Sequence, residues 1–203
     1  MQVHEAALDV MAVLKSHTAE QHTQVEQLMP FFKESFSLQE YVRTLGVFLG
    51  FFEPLELRLA NIADWPAVGI DLKQRRRAYR LRNDLLVLGI SEEAISRLPR
   101  CHHLPDVANY YNGLGCLYVL EGSTLGGQLI ARELTRRFDI EDFSGTSFFH
   151  SYGTNVGEAW KEFCSAVRAH VNDPIKEHAA LQSAQETFAC FAAWIREASR
   201  DAK

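Results

Sequence analysis

Apolar side chains recur at spacings of three and four along nearly the whole chain, the period of amphipathic helices. Leu8, Met11, Leu14, Thr18, His22 and Val25 share one face, which predicts a first helix from about Glu5 to Leu28, stopped by Pro30. Ser37-Leu38-Gln39-Glu40 is a capping-box pattern that opens a second helix, with Tyr41, Leu45, Phe48, Leu49, Phe52, Leu55 and Leu59 as its buried stripe. Pro54 lies inside that stripe and should kink the helix without ending it. Trp65-Pro66 marks a loop, and a third helix follows from about Asp71 to Leu88, closed by Gly89. Ser91 caps a short helix to about Leu98, and residues 99–105 form a loop. A long helix spans about Asp106 to Phe138, and residues 139–153 form a polar and aromatic connection. Asn155 opens a helix to about Val171, and Asp173-Pro174 opens the last, which reaches about Arg200. No Val/Ile-rich alternating strand and no repeat interrupts the pattern. The expected fold is all-α, a single-domain helical bundle over residues 1–203.

The long helix breaks the pattern in one respect. Five of the chain's 12 glycines fall within it: Gly113, Gly115, Gly122, Gly126 and Gly127. Each costs a helix interior about 1 kcal/mol relative to alanine. Such a helix must gain from missing side chains, either because another helix packs closely or because a flat ligand lies against bare backbone.

Composition narrows the chemistry. A net charge of −5 gives no sign of a nucleic-acid binder, and no run reaches the ~18 apolar residues of a membrane span. Cys101, Cys116, Cys164 and Cys190 are widely spaced and form no CxxC pair, which reads as reduced thiols of a cytoplasmic protein. None of the eight histidines follows a glutamate by three residues, which disfavours a di-iron bundle. Neither a Gly-x-Ser-x-Gly elbow nor a Walker-type phosphate loop is present.

His22 is the best single candidate, on the apolar face of the first helix with Glu26 one turn later. It reads either as a partly buried histidine paired with Glu26 or as an axial ligand whose ring Glu26 orients. His17 points to another face, and His102, His103, His150, His170 and His178 have no evident partners. One helix offering a histidine and another offering bare backbone together favour a planar ligand over a bare metal ion, which wants several converging donors.

Leu14-Lys15 through Thr18, His22 and Glu26 resembles the first-helix pattern of haem oxygenases. Tyr118-Val119-Leu120-Glu121-Gly122-Ser123-Thr124-Leu125-Gly126-Gly127-Gln128 resembles the distal helix of the bacterial members, especially those that supply biliverdin to bacteriophytochromes. The two motifs stand in the same order, about a hundred residues apart. The resemblance implies a haem-oxygenase-like bundle with a kinked, glycine-rich distal helix. It implies that haem is both substrate and cofactor, opened with O2 and external electrons to biliverdin, carbon monoxide and ferrous iron. By the same resemblance His22 is the proximal iron ligand, and Gly122 and Gly126, with Gly127 beside them, meet the distal face. Lys15 suits a haem propionate, Tyr118 the pocket lining, and Phe188 and Phe191 the pocket wall. Lys161 and Arg168 are further cations for the propionates.

A neutral histidine pushes less electron density onto iron than a thiolate does, which disfavours early O–O cleavage. The distal segment itself offers no His, Arg or Asp side chain as a strong acid toward bound oxygen. Ser123 stands where the mammalian-type pattern has an aspartate that organises distal water, so Ser123 and Thr124 hydroxyls are the expected water anchors. Without a flavin or iron–sulfur motif, electrons must come from a ferredoxin or a flavoprotein reductase. The Arg-rich third helix, with Arg75, Arg76 and Arg77, is a candidate dock for an acidic donor. Two alternatives remain: a haem-binding or haem-sensing protein of the same fold that does not degrade haem, and a non-haem helical protein of thiaminase-like architecture.

Overall fold

The computed structural model describes residues 9–62 and 65–200. These residues fold into α1 (Val10–Leu28), α2 (Leu38–Ala60), α3 (Leu72–Arg75), α4 (Ala78–Val87), α5 (Glu92–Ser96), α6 (Tyr110–Phe138), α7 (Ser147–His150), α8 (Val156–His170) and α9 (Pro174–Arg200). Short 3-10 turns lie before α3, α7 and α8, and no strand occurs among the described residues. The part of the expected first helix before Asp9 lies outside them.

The helix ends follow from local chemistry. The Asp9 carboxylate accepts the Met11 amide and caps α1. Ser37 and Glu40 close a reciprocal capping box on α2, with Glu40 N donating to Ser37 Oγ at 3.2 Å and Ser37 N donating to Glu40 Oε2 at 2.8 Å. Pro54 has no N–H to give the Gly50 carbonyl one turn earlier. That carbonyl instead accepts the Cys101 amide at 2.8 Å, so the proline is absorbed inside α2 and a loop is tied to it. Asn109, not Asp106, caps the long helix: its Oδ1 accepts the amides of Tyr111 and Asn112 at 2.9 and 3.2 Å. Asn155 makes no side-chain cap, and the preceding connection contains the short α7.

The expected single third helix is broken. Arg76 is extended, Arg77 lies outside both helices, and α3 and α4 are separate. The cause is Glu56, a buried carboxylate in the apolar stripe of α2. It accepts the backbone amides of Arg77 at 2.6 Å and Ala78 at 3.0 Å, capping α4 from across the core. The break turns the Arg77 side chain inward.

The bundle is organised by α9, which packs against both α1 and α6. An apolar core including Leu14, Tyr41, Leu49, Leu114, Phe163 and Ala184 joins all the long helices. The first half of α1 is buried in it through Val10, Met11, Val13, Leu14 and Thr18. Its second half leaves the core, and that separation opens the space described next. Opposite it, α6 runs as one unbroken helix through all five glycines. The Ser123 and Thr124 hydroxyls donate to the carbonyls of Leu120 and Glu121 at 2.6 and 2.7 Å.

Candidate functional site

A cavity of about 590 Å³ lies between the second half of α1 and the middle of α6. That volume suits a single organic ligand. Lys15, Thr18, His22 and Glu26 line it from α1, and Tyr118, Gly122, Ser123, Gly126 and Gly127 from α6. Phe148 and Phe149 of α7, Trp160 of α8, and Phe188 and Phe191 of α9 complete an aromatic wall.

His22 is less enclosed than its place in the apolar pattern suggests: 55% of its side chain is accessible, because α1 has left the core here. Its Nδ1 lies 3.4 Å from Glu26 Oε2, and its ring meets Phe188 edge-on at 6.0 Å. The pairing with Glu26 is therefore present but exposed, and Nε2 is the ring nitrogen left over by that contact. Lys15 is exposed two turns earlier on the same rim. The half-buried Tyr118 meets the Thr18 hydroxyl and the Trp160 ring, the latter at 5.9 Å. Burial pushes its phenol up from the ordinary tyrosine value. Arg168 is held elsewhere, by Asp9 at 2.8 and 2.9 Å, and neither it nor Lys161 lines the cavity.

The glycines of α6 divide by what a side chain would meet. A Cβ on Gly126 would have nothing within 4 Å, and one on Gly122 only the edge of Trp160 at 3.8 Å. These two leave a bare strip of helix facing the cavity. A Cβ on Gly127 would stand 2.6 Å from the Phe149 carbonyl oxygen, and one on Gly115 2.0 Å from that of Ala180. Gly113 is pressed by the Trp65 ring at 2.7 Å. Gly127 touches the cavity, yet its missing side chain is required by α7.

The distal side does hold an arginine. Arg77, 3% exposed, enters from the α3–α4 break and lines the cavity. Its guanidinium lies 4.9 Å over the Phe148 ring and 5.5 Å over that of Phe52. Its Nη2 donates to the Leu120 carbonyl and, at 3.1 Å, to Ser123 Oγ. Burial pulls its pKa below the usual arginine value, and the negative charge of Glu121 opposes that most strongly. Ser123 Oγ donates its own hydrogen to the Leu120 carbonyl at 2.6 Å. The serine can thus offer a cavity molecule a lone pair but not a proton, and the N–H groups in this corner belong to Arg77.

Arg75 and Arg77 are accordingly not a docking surface. Arg75 has a 10% accessible side chain and pairs with the buried Glu121 at 2.7 Å, while Arg76 pairs with Glu56 at 3.6 Å. In sequence, three adjacent cations suggest an exposed docking face. Two buried acids, Glu56 and Glu121, sit among apolar neighbours and were the signal that some of those cations point inward.

The donor set fits haem. One imidazole and one rim lysine face a bare helix strip across an apolar slot, while no group of three His, Cys, Asp or Glu able to hold a bare ion occurs among the described residues. All four cysteines are free thiols. No helix among the described residues is long and apolar enough to cross a membrane.

The family model described as heme oxygenase matches residues 8–197. A heme oxygenase of Xanthomonas campestris pv. campestris (strain 8004) is 30% identical over 133 residues, 64% of this chain and 75% of that protein. The NO- and CO-bound heme oxygenase of Neisseria meningitidis superposes with a TM-score of 0.75 at 23% identity, covering 95% of this chain and 92% of that one. Heme oxygenase-1 of the cyanobacterium Synechocystis sp. PCC6803, in complex with heme, superposes at 0.72 with 16% identity, covering 96% and 94%.

Proposed function

The chain belongs to the heme oxygenase family, and on that premise we infer that His22 holds the haem iron from α1 while the Gly122–Gly126 strip of α6 covers the opposite face. The reaction is the oxidative opening of haem to biliverdin with release of carbon monoxide and ferrous iron. Haem supplies both the oxygen-activating iron and the carbon that is oxidised. The observation that carries the placement is the open strip at Gly126, where a side chain would meet nothing but the cavity.

Each residue has a definable task. Glu26 orients the His22 ring through Nδ1, which leaves Nε2 for the iron. Lys15 at the rim is placed for a propionate. Bare backbone at Gly122 and Gly126 lets the porphyrin plane approach α6 closely. Phe148, Phe149, Phe188 and Phe191 exclude bulk water around the reacting edge. Arg77 and Ser123 take the place of a distal carboxylate: Arg77 holds the proton-bearing groups and Ser123 a lone pair. Such a corner can order a water without acting as a strong acid.

Electrons come from a partner, a ferredoxin or a flavoprotein reductase, since the chain carries no motif for either redox group. The Leu120–Gln128 stretch, with serine after the first cavity glycine, supports the bacteriophytochrome-associated type, with biliverdin passed on as a chromophore in the cytoplasm. Mixing the protein with hemin should give a histidine-ligated Soret band. Ascorbate in air should then bleach it and raise a verdin band. A spectrum that stays intact under these conditions would mean binding without degradation. His22→Ala should abolish the ligated band, and its survival would remove the ligand assignment.

A further inference from the structure

Glu121 is a carboxylate buried inside α6, immediately before Gly122, and it does not line the cavity. Its Oε2 accepts from Arg75 Nη1 at 2.7 Å, and the Tyr152 hydroxyl donates to Oε1 and Oε2 at 3.0 and 3.2 Å. Arg75 is itself braced over the Phe163 ring at 5.7 Å and lies 3.9 Å from Glu162. A buried carboxylate persists only where its partners repay its desolvation, so this one is held by design of the surrounding helices. Arg77 presents the complementary problem. Its guanidinium is buried against two rings and bonds a carbonyl and a hydroxyl, and among the described residues no carboxylate pairs with it directly.

We propose that Glu121 is a positioning residue for haem turnover. From behind the distal helix its carboxylate, fixed by Arg75 and Tyr152, supplies the counter-charge that keeps the Arg77 guanidinium on Ser123 and the Leu120 carbonyl at the edge of the cavity. The negative charge absent at position 123 is thereby provided two residues earlier in the chain, on a face the substrate does not touch. It cannot deliver a proton; it sets the potential in which Arg77 and any distal water work. The groups facing this carboxylate are Arg75 and Arg77 from the α3–α4 junction, Tyr152 from the turn before α8, and Glu162 of α8 beyond Arg75. Glu56 of α2 binds the backbone of Arg77 from the other side.

The inference rests on the cavity being the haem site, and its test separates the two. The full chain is loaded with ferric haem, and the spectral change from the water to the hydroxide complex is titrated. Glu121→Gln removes a negative charge near the distal face and should lower the midpoint by about half a pH unit or more. Arg77→Met removes a positive charge and should raise it. A normal ligated spectrum with an unmoved midpoint in Glu121→Gln overturns the proposal, because a purely structural role would change melting temperature and haem affinity but not this midpoint. Should Glu121→Gln fail to fold, Tyr152→Phe decides. It strips a hydrogen-bond donor from an intact carboxylate and should raise the midpoint, whereas no change overturns the idea. A wild-type chain without a ligated band would defeat the haem-site reading and the proposal with it.

Discussion

The five glycines of α6 stand in one helix and serve two purposes. Gly113, Gly115 and Gly127 sit where a neighbour occupies the place of a side chain: the Trp65 ring, the Ala180 carbonyl and the Phe149 carbonyl. Gly122 and Gly126 sit where nothing in the protein crowds them. The first group exchanges helix propensity for close approach of chain to chain, and the second for an open surface on a ligand cavity. Tight packing accounts for the first group and the proposed haem face for the second, so two competing explanations for a glycine-rich helix divide it between them. The same kind of residue should therefore respond to substitution with opposite signs.

Gly115→Ala should have the largest effect. Its Cβ would lie 2.0 Å from a backbone oxygen of α9, which no rotamer change can relieve. A loss of about 3 kcal/mol or more is expected in denaturant melts of the haem-free protein. Near-wild-type stability would mean that α9 can step aside, and the packing half of the comparison would fall. Gly127→Ala meets a carbonyl at 2.6 Å, but α7 is a single short turn and can yield more readily. About 1–3 kcal/mol is expected, together with displaced Phe148 and Phe149 and weaker haem binding.

Much of this architecture is legible in the chain's periodicity, because the long helices have wide apolar stripes and well-formed caps. Asp173 accepts the Ile175 and Lys176 amides, and the Ser37–Glu40 box forms as its spacing implies. His22 and the cavity glycines stand out because each contradicts its surroundings: a polar ring on an apolar face, and poor helix formers in a long helix. Arg77 did not stand out, because a run of cations carries no information about which one turns inward. That depends on Glu56, about twenty residues earlier, whose carboxylate replaces helix hydrogen bonds at the α3–α4 break. Contacts between distant residues of unlike charge leave a trace only as acids misplaced in apolar stripes. α7 is similarly hidden. Four residues long, it is fixed by Asp84 and by the Tyr41 hydroxyl on the Gly145 carbonyl at 2.8 Å, not by its own propensity.

That anchorage gives a pH test of the packing region. Asp84 is buried and accepts the amides of Ser147 and Phe148, both at 2.9 Å, at the start of the element that presses on Gly127. Burial raises its pKa above the ordinary 3.8 despite those bonds. A folded state with the higher value binds the proton more tightly than the unfolded chain. The resulting stabilisation is complete below about pH 4 and is lost as pH rises through the raised value. Asp84→Asn keeps an acceptor without the charge, so wild type should lose stability relative to it as pH rises from acid to neutral. A difference that is constant with pH, measured by parallel melts, would show that the carboxylate is not under strain.

Gly126→Ala should have the smallest effect on the fold and the most informative one. A methyl group there meets no atom within 4 Å, so the haem-free protein should gain up to about 1 kcal/mol from helix propensity alone. The same methyl projects into the cavity opposite His22 and should hold the porphyrin plane away from α6. Haem binding and turnover should both fall while the melting temperature of the haem-free protein rises. Gly122→Ala should behave alike with a smaller gain, since Trp160 already lies at contact distance. If Gly126→Ala destabilises the haem-free protein as Gly115→Ala does, the strip is a packing surface after all. If it stabilises the protein and haem still binds as tightly, the ligand lies elsewhere in the cavity. Only the combination of a firmer fold with a poorer haem site shows that Gly126 is bare for the sake of the ligand and that the helix gives up stability there to hold it.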